Sequence, residues 1–265
     1  MNFPLLNYVI ICPLVFLAGF IDSIAGGGGL ISLPAYLACG LPIHTALGTN
    51  KLSGTLAAVT ASINYYRKGL VTLWLAVPCA IGSLAGAVLG SRISLYTNDT
   101  ILRCVLIAIL PITAIYVLKT PQSMLLAGEY QTKSKKKLVA LGIIVSFFVG
   151  MYDGFYGPGT GTFYIILYTA VLKLNPLNAS ANAKVANLSS NIAALTVFIY
   201  YGTVNIGLGL IAGVFGIAGA YFGSRLAIKK GAKIIRIIML ITIVILFAKI
   251  IYDTFGSSIR GTSKY

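Results

Sequence analysis

Charged residues are scarce in this 265-residue chain, and acidic residues are the scarcest. Only 9% of residues are charged, and five are Asp or Glu, against 20 Lys and Arg and a single histidine. With 58% hydrophobic residues and a mean hydropathy of +0.92, the chain has more apolar surface than a soluble domain of this size can bury. The composition therefore excludes a soluble fold and predicts an all-α integral membrane protein.

The chain also lacks the usual signatures of catalysis and metal binding. Its four cysteines lie singly in apolar stretches without C-x-x-C spacing, which argues against a disulfide framework and a metal site. The sequence has no nucleophile–base pair, metal cluster or haem ligand pair, so we expect no enzyme and no cofactor. The apolar run at 3–21 has no basic segment before it, and we expect it to belong to the mature protein.

Three sequence blocks occur twice in the same order. GFIDSIAGGGG (19–29) matches GMYDGFYGPGTG (150–161), LPIHTALGTNKLSG (41–54) matches NPLNASANAKVAN (175–187), and AGAVLGSR (85–92) matches AGAYFGSR (218–225). Repeated blocks in one order indicate a duplication. The predicted units are a first transmembrane repeat at 1–118, a basic cytoplasmic linker at 119–137 and a second transmembrane repeat at 138–265.

Each repeat is predicted to contain a glycine-broken helix pair and three further transmembrane helices. The break either interrupts one crossing or forms the tip of a hairpin. The positive-inside rule favours an odd net number of crossings per repeat, because the linker, the turn at 67–68 and the loop at 225–236 are all basic and then lie in the cytoplasm. The repeats would then have inverted topology, with the net charge of +15 facing the cytoplasm and anionic lipid rather than nucleic acid.

Two of the five acidic residues lie just before the glycine-rich breaks, Asp22 in the first repeat and Asp153 in the second. Backbone without helical hydrogen bonds survives at membrane depth only where it lines a cavity or is buried in protein. A helix that begins after the break directs free N–H groups at such a cavity, which suits an anion. Alternatively, the glycines only permit close packing and the aspartates only cap free N–H groups. The candidate glycines are Gly26, Gly27, Gly28, Gly29, Gly157, Gly159 and Gly161.

Lys51 and Lys184 lie at equivalent positions well inside apolar helices. A cation there costs about 2.5–3.5 kcal/mol on insertion scales, so it needs a function or a partner. Inversion would bring the two lysines face to face, with an anion or the two aspartates between them. Purely structural Lys–Asp pairing and snorkelling to an interface are the alternatives. The polar side chains expected beside the lysines are Asn50, Ser53, Asn182 and Asn187.

Arg92 and Arg225 end the two AGAxxGSR blocks. The small residues of these blocks are typical of helix packing. Inversion places the two arginines on opposite membrane faces, so at least one of them is a candidate for a lipid headgroup, a helix C-terminus or the substrate path.

The segment GFIDSIAGGGGLISLPAYLACGLPIHTALGTNKLSG resembles the first-repeat signature of the sulfite exporter TauE/SafE family, also called the TSUP family, and AGAYFGSR lies where that family has its second repeat. The resemblance implies a multi-pass plasma-membrane protein that transports sulfur-containing anions such as sulfite, thiosulfate, sulfoacetate or other organosulfonates, coupled to an ion gradient. The second repeat has Ala183 where the first has Asn50, so an asparagine–lysine pair is implied only for the first.

The resulting hypothesis is a secondary transporter that works by alternating access. The anion would be held by Lys51, Lys184, Asn50 and the backbone of the breaks while the repeats rock around it. A proton or another ion is the expected coupling partner, with Asp22 or Asp153 as its carrier. A passive anion channel is the alternative function, and a purely structural membrane partner fits the paired lysines poorly.

Overall fold

The computed structural model describes residues 5–98, 101, 134–235, 237–238 and 241. Every regular element in these ranges is a helix, which confirms the predicted all-α class for this part of the chain. A long helix, a short helix and two long helices follow one another in each half. The first half contains α1 (Leu5–Ala25), α2 (Gly29–Ala38), α3 (Ile43–Arg67) and α4 (Leu73–Tyr96), and the second contains α5 (Lys135–Phe155), α6 (Thr160–Ala170), α7 (Pro176–Tyr200) and α8 (Ile206–Lys230).

Some predicted segments lie outside the described residues or at their boundaries. The last of the three further helices predicted for each repeat is expected at about 101–118 in the first and 235–252 in the second. Both ranges lie almost entirely outside the described residues. Most of the predicted linker does so as well. Lys135, Lys136 and Lys137, expected at the end of the linker, form the first turn of α5.

The long helices divide into an apolar outer set and a polar inner pair. Among the described residues, α1, α4, α5 and α8 are long and apolar enough to cross a bilayer. Their exposed side chains include large aliphatic residues such as Val77, Ile81 and Leu84 on α4. In contrast, α3 and α7 contain the two buried lysines and pack against each other and the outer helices. The polar faces of α3 and α7 are thus buried, while Ile63 on α3 and Ile192 on α7 remain exposed.

Each glycine-rich break is the tip of a helix hairpin. In the first half, α2 runs back along α1, because Asn7 Nδ2 near the start of α1 donates to the carbonyl oxygen of Cys39 at the end of α2 (3.3 Å). In the second half, α6 runs back along α5, where Ser146 Oγ and Tyr168 Oη share a hydrogen bond of 2.7 Å. Of the two arrangements left open by the sequence, the structure has the hairpin.

The inner helices α3 and α7 run antiparallel. The backbone N–H of Asn205, just after α7, donates to Thr49 Oγ1 near the start of α3 (3.0 Å). At the other end, the N–H of Thr72, which follows α3, donates to Asn182 Oδ1 near the start of α7 (3.0 Å). Each end of one helix therefore meets the opposite end of the other.

Small residues let the outer helices pack closely in two equivalent pairs, α1 with α8 and α4 with α5. We call these two contacts the seams. A Cβ at Gly219 would clash with the carbonyl oxygen of Phe16, and a Cβ at Gly86 would clash in the same way with Phe147. These contacts join equivalent positions of the duplicated blocks. Backbones can approach this closely only where side chains are absent or small, which explains the glycine spacing of the AGAxxGSR blocks.

We expect Gly86→Ala to lower the melting temperature of the purified protein by several degrees. The added methyl group must push α4 away from α5, and overpacking of this kind costs about 1–3 kcal/mol. Gly207→Ala is the matched control, because its Cβ would meet nothing closer than Asn205 Oδ1 at 3.9 Å. Equal melting temperatures for the two variants would show that the seam tolerates separation.

Candidate functional site

The two hairpin tips meet at the centre of the bundle. Gly26 and Gly161 touch so closely that a Cβ on either would overlap the backbone of the other. Thr162 Oγ1 donates to the carbonyl oxygens of Ala25, at 3.0 Å, and of Gly26. Gly26 has a φ of +68°, which L side chains rarely adopt, so glycine is required here for both conformation and space.

Two ion pairs cross between the halves next to these tips. Lys51 Nζ on α3 lies 2.8 Å from Asp153 Oδ2 on α5, and Lys184 Nζ on α7 lies 2.6 Å from Asp22 Oδ2 on α1. Each lysine thus pairs with the aspartate of the other half. A buried charge without a partner is strongly unfavourable, so the pairing explains how both lysines can sit inside the bundle.

The environments of the two pairs differ. Lys184 is completely buried, while the side chain of its partner Asp22 is 22% exposed. Asp22 Oδ1 also accepts hydrogen bonds from the N–H groups of Gly27 (3.1 Å) and Gly28 (3.2 Å), so it caps the break as well as binding the lysine. Gly157 lies against the other pair, where a Cβ would come within 3.0 Å of Lys51 Nζ.

A cavity lies beside the hairpin tips and extends along α3 and α7. The space in it that water-sized molecules can enter is about 50 Å³, room for a few waters or one small ligand. Both aspartates line it, but of the two lysines only Lys51 does. Of the predicted site residues it is lined by Lys51, Asn50, Ser53, Asn187, Gly27, Gly28, Gly29, Gly157, Gly159, Gly161, Asp22 and Asp153.

Hydrogen-bond donors converge on this cavity. Ser32 Oγ donates to Asn50 Oδ1 (2.6 Å), which leaves the Nδ2 group of Asn50 for a ligand. Asn187 and Asn191 line the same wall, and neither side-chain amide bonds to another described residue. Lys51 uses one contact for Asp153 and has further ammonium protons to donate. One ammonium group and several neutral amides can bind an oxyanion without a further charged side chain.

Several predicted site residues lie away from the cavity. Lys184 is enclosed behind Asp22, and Gly26 is covered by the second hairpin tip. Asn182 binds the backbone at both ends of its amide, through Thr72 N and Asn178 O. Arg92 and Arg225 are exposed, and the Arg225 guanidinium stacks on Tyr221 at 4.0 Å from the ring centre. A role of these residues in substrate binding stays a prediction.

The structure adds lining residues that the sequence reasoning missed, chiefly Ser32, Thr160 and Asn191. Asn191 could have been found, because Lys184, Asn187 and Asn191 follow the spacing of one helix face. Ser32 gives no comparable signal, because only folding of the hairpin brings it to Asn50.

The profile of the family described as sulfite exporter TauE/SafE matches residues 11–250. The chain belongs to this family. It is 37% identical over 251 residues to the probable membrane transporter protein ORF9 of Sinorhizobium sp, covering 95% of this chain and 94% of the relative. It is 35% identical over 243 residues to the probable membrane transporter protein YfcA of Escherichia coli (strain K12), covering 92% and 89%.

A third relative, the probable membrane transporter protein of Haemophilus influenzae, is 36% identical over 242 residues, covering 90% of this chain and 92% of the relative. No solved structure matches the chain. Family membership and the apolar outer helices together identify a multi-pass membrane transporter.

The crossed ion pairs predict which aspartate substitution restores the stability lost when a lysine is removed. Lys51→Met leaves Asp153 buried without its cation, and we expect a fall of several degrees in the melting temperature, because breaking a buried pair costs about 3–5 kcal/mol. Adding Asp153→Asn removes the orphaned charge and should recover part of that loss.

The matched control adds Asp22→Asn to Lys51→Met instead. This second change breaks the other pair, so the melting temperature should fall further. Recovery by both asparagine variants, or by neither, would contradict the crossed pairing.

Proposed function

We propose that this protein is a secondary transporter that moves a small sulfur-containing anion across the plasma membrane by alternating access. Candidate substrates are sulfite, thiosulfate, sulfoacetate and other organosulfonates. The single observation that supports it most is the cavity between the halves, where Lys51 and three asparagine amides converge. The family description names a sulfite exporter, which favours a sulfur oxyanion over other anions.

The charges around the cavity support an anion that enters with a second ion. Two lysines and two aspartates balance one another, so these four groups give the site no net charge. A bound monoanion would leave one uncompensated negative charge at membrane depth, where charges are costly. We therefore propose cotransport of a cation, with a proton carried on Asp22 or Asp153 as the simplest form. Asp22 is the more accessible of the two.

We also propose the inverted topology. The antiparallel course of α3 and α7 is what inverted repeats require of equivalent helices. Three helix ends are basic: α3 ends at Arg67, α5 begins at Lys135 and α8 ends at Lys230. In this topology all three ends lie at one face of the bundle. The positive-inside rule assigns that face, with the linker, to the cytoplasm and to anionic lipid.

Anion binding should raise the melting temperature of the purified protein, because a ligand that binds only the folded state stabilises it. The probes are sulfite, thiosulfate, sulfoacetate, taurine, sulfate, phosphate and chloride. We expect at least one sulfur oxyanion to stabilise the wild type. Asn50→Ala and Asn191→Ala should each raise the anion concentration needed for the same stabilisation about tenfold or more, because each removes a hydrogen bond to a charged group.

Asn64→Ala is the matched control for the anion test. Asn64 lies on the same helix as Asn50 and its amide is also hydrogen-bonded, to Ser224 Oγ at 2.8 Å, but it does not line the cavity. Its response should equal that of the wild type. If no anion stabilises the wild type, or if all three asparagine variants respond equally, the cavity is not the anion site.

Transport in proteoliposomes separates a transporter from a passive anion channel. A transporter that alternates should show counterflow, in which unlabelled anion inside drives transient uptake of labelled anion, and a channel should not. An imposed pH gradient should drive uptake in the wild type if the coupling ion is a proton. A variant with Asp22→Asn and Asp153→Asn that keeps this response would rule out both aspartates as the proton carriers.

A further inference from the structure

The two halves have different residues at three equivalent positions around the cavity. The cavity is lined by Val15, Ser53 and Gly216, whose equivalents in the other half are Ser146, Ala186 and Ser83. Of these equivalents, Ser83 and Ser146 are completely buried, and none of the three lines the cavity beside the hairpin tips. The same contrast holds for the lysines, because Lys51 lines the cavity while Lys184 is sealed.

The hydroxyl of Tyr164 lies among these equivalents. It lies 2.6 Å from Ser83 Oγ and donates to the carbonyl oxygen of Ser146 at 3.3 Å. Ser83 Oγ in turn donates to the carbonyl oxygen of Ala186 at 2.7 Å. The hydroxyl of Tyr164 thus bonds to the equivalents of two residues that line the cavity, and Ser83 links it to the equivalent of the third. The ring itself is completely buried.

The packing around both places is otherwise the same. Gly19 meets the backbone of Gly216 beside the cavity, and Gly150 meets the backbone of Ser83 beside Tyr164. The helices that would frame a second cavity are therefore already in position. The tyrosine, its hydrogen bonds and the three substituted lining positions distinguish the two halves here.

We propose that the protein has a second site for the same small oxyanion, formed around Lys184 and Ser83 when Tyr164 leaves its place. This inference rests on the proposed transport function. In the second state Lys184 would line the cavity with the hydroxyls of Ser83 and Ser146, and the cavity around Lys51 would close. Because the repeats are inverted, the second site opens to the opposite membrane face. The two sites are successive stations of one anion.

The two states can interconvert because their interactions are similar in kind. Each has one lysine that lines a cavity and one that is buried, both paired with an aspartate of the other half, and the seams of small residues are equivalent. Two packings of nearly equal free energy are what a two-state element requires. The Tyr164 hydroxyl biases this equilibrium toward the described state.

Accessibility of single cysteines to a small membrane-impermeant thiol reagent tests the second site. The four native cysteines are replaced, and one cysteine is introduced at Gly54 or at Ser83. Gly54 lines the open cavity and a Cβ there meets nothing within 4 Å, so Gly54→Cys fits without strain. We expect Gly54→Cys to react from one membrane face and Ser83→Cys to react more slowly from the other.

Tyr164→Phe should shift the equilibrium between the two states. The ring keeps its volume, so no hole is left for the reagent, but the hydrogen bonds that hold the closed half are lost. We expect the labelling rate of Ser83→Cys to rise about threefold to tenfold and that of Gly54→Cys to fall. Tyr65→Phe is the matched control, because Tyr65 is also completely buried and its hydroxyl also binds a backbone oxygen, that of Ser23 at 2.8 Å.

Three outcomes would overturn the second site. Ser83→Cys could react from the same face as Gly54→Cys, it could react from neither face even with Tyr164→Phe, or Tyr65→Phe could raise its labelling as much as Tyr164→Phe does. The labelling needs no anion, so its result is independent of the anion test. Anion binding without alternate labelling would indicate one fixed site, and alternate labelling without anion binding would indicate a different cargo.

Discussion

Four charged side chains inside an apolar bundle must each lie against an opposite charge, and this requirement organises the centre of the molecule. Lys51 and Lys184 cannot pair with the aspartate of their own half in this structure, because each carboxylate faces the long helix of the other half. The pairs therefore tie α3 to α5 and α7 to α1. The hairpin tips, the break glycines and the cavity are positioned by these ties, since Asp22 caps one break while it binds Lys184.

The same ties leave the site able to accept a negative ligand. The charge of a paired lysine is neutralised, but the lysine can still donate hydrogen bonds. Its ammonium group has three donors, and Asp153 takes one contact of Lys51. Asn50, Asn187 and Asn191 add polar groups without adding charge. Under the proposed function, an anion would meet prearranged dipoles and avoid the cost of reorganising them on binding.

Residues that are scarce or conformationally special were predictable from the sequence. Asp22, Asp153, the two lysines and the break glycines stand out because they recur at equivalent positions in an apolar chain. The order of the helices was predictable too, because the repeated blocks mark equivalent helices in the two halves. The crossed ion pairs were not predictable, because the sequence permits lysine–aspartate pairing within or between the halves. The difference between the halves was also hidden, since Lys51 and Lys184 have equivalent positions and only folding shows that Lys51 lines the cavity while Lys184 does not.

The crossed pairs also constrain how the protein is made. Synthesis proceeds from the N-terminus, so Lys51 reaches the membrane before its partner Asp153 has left the ribosome, and Asp22 precedes Lys184 by a still longer stretch of chain. Until α5 and α7 arrive, the first half holds two ionised groups without their final partners, at a cost of about 2.5–3.5 kcal/mol each at a helix centre. The polar helix α3 should therefore settle into the bilayer late, after the second half has entered, and the first half produced alone should insert incompletely.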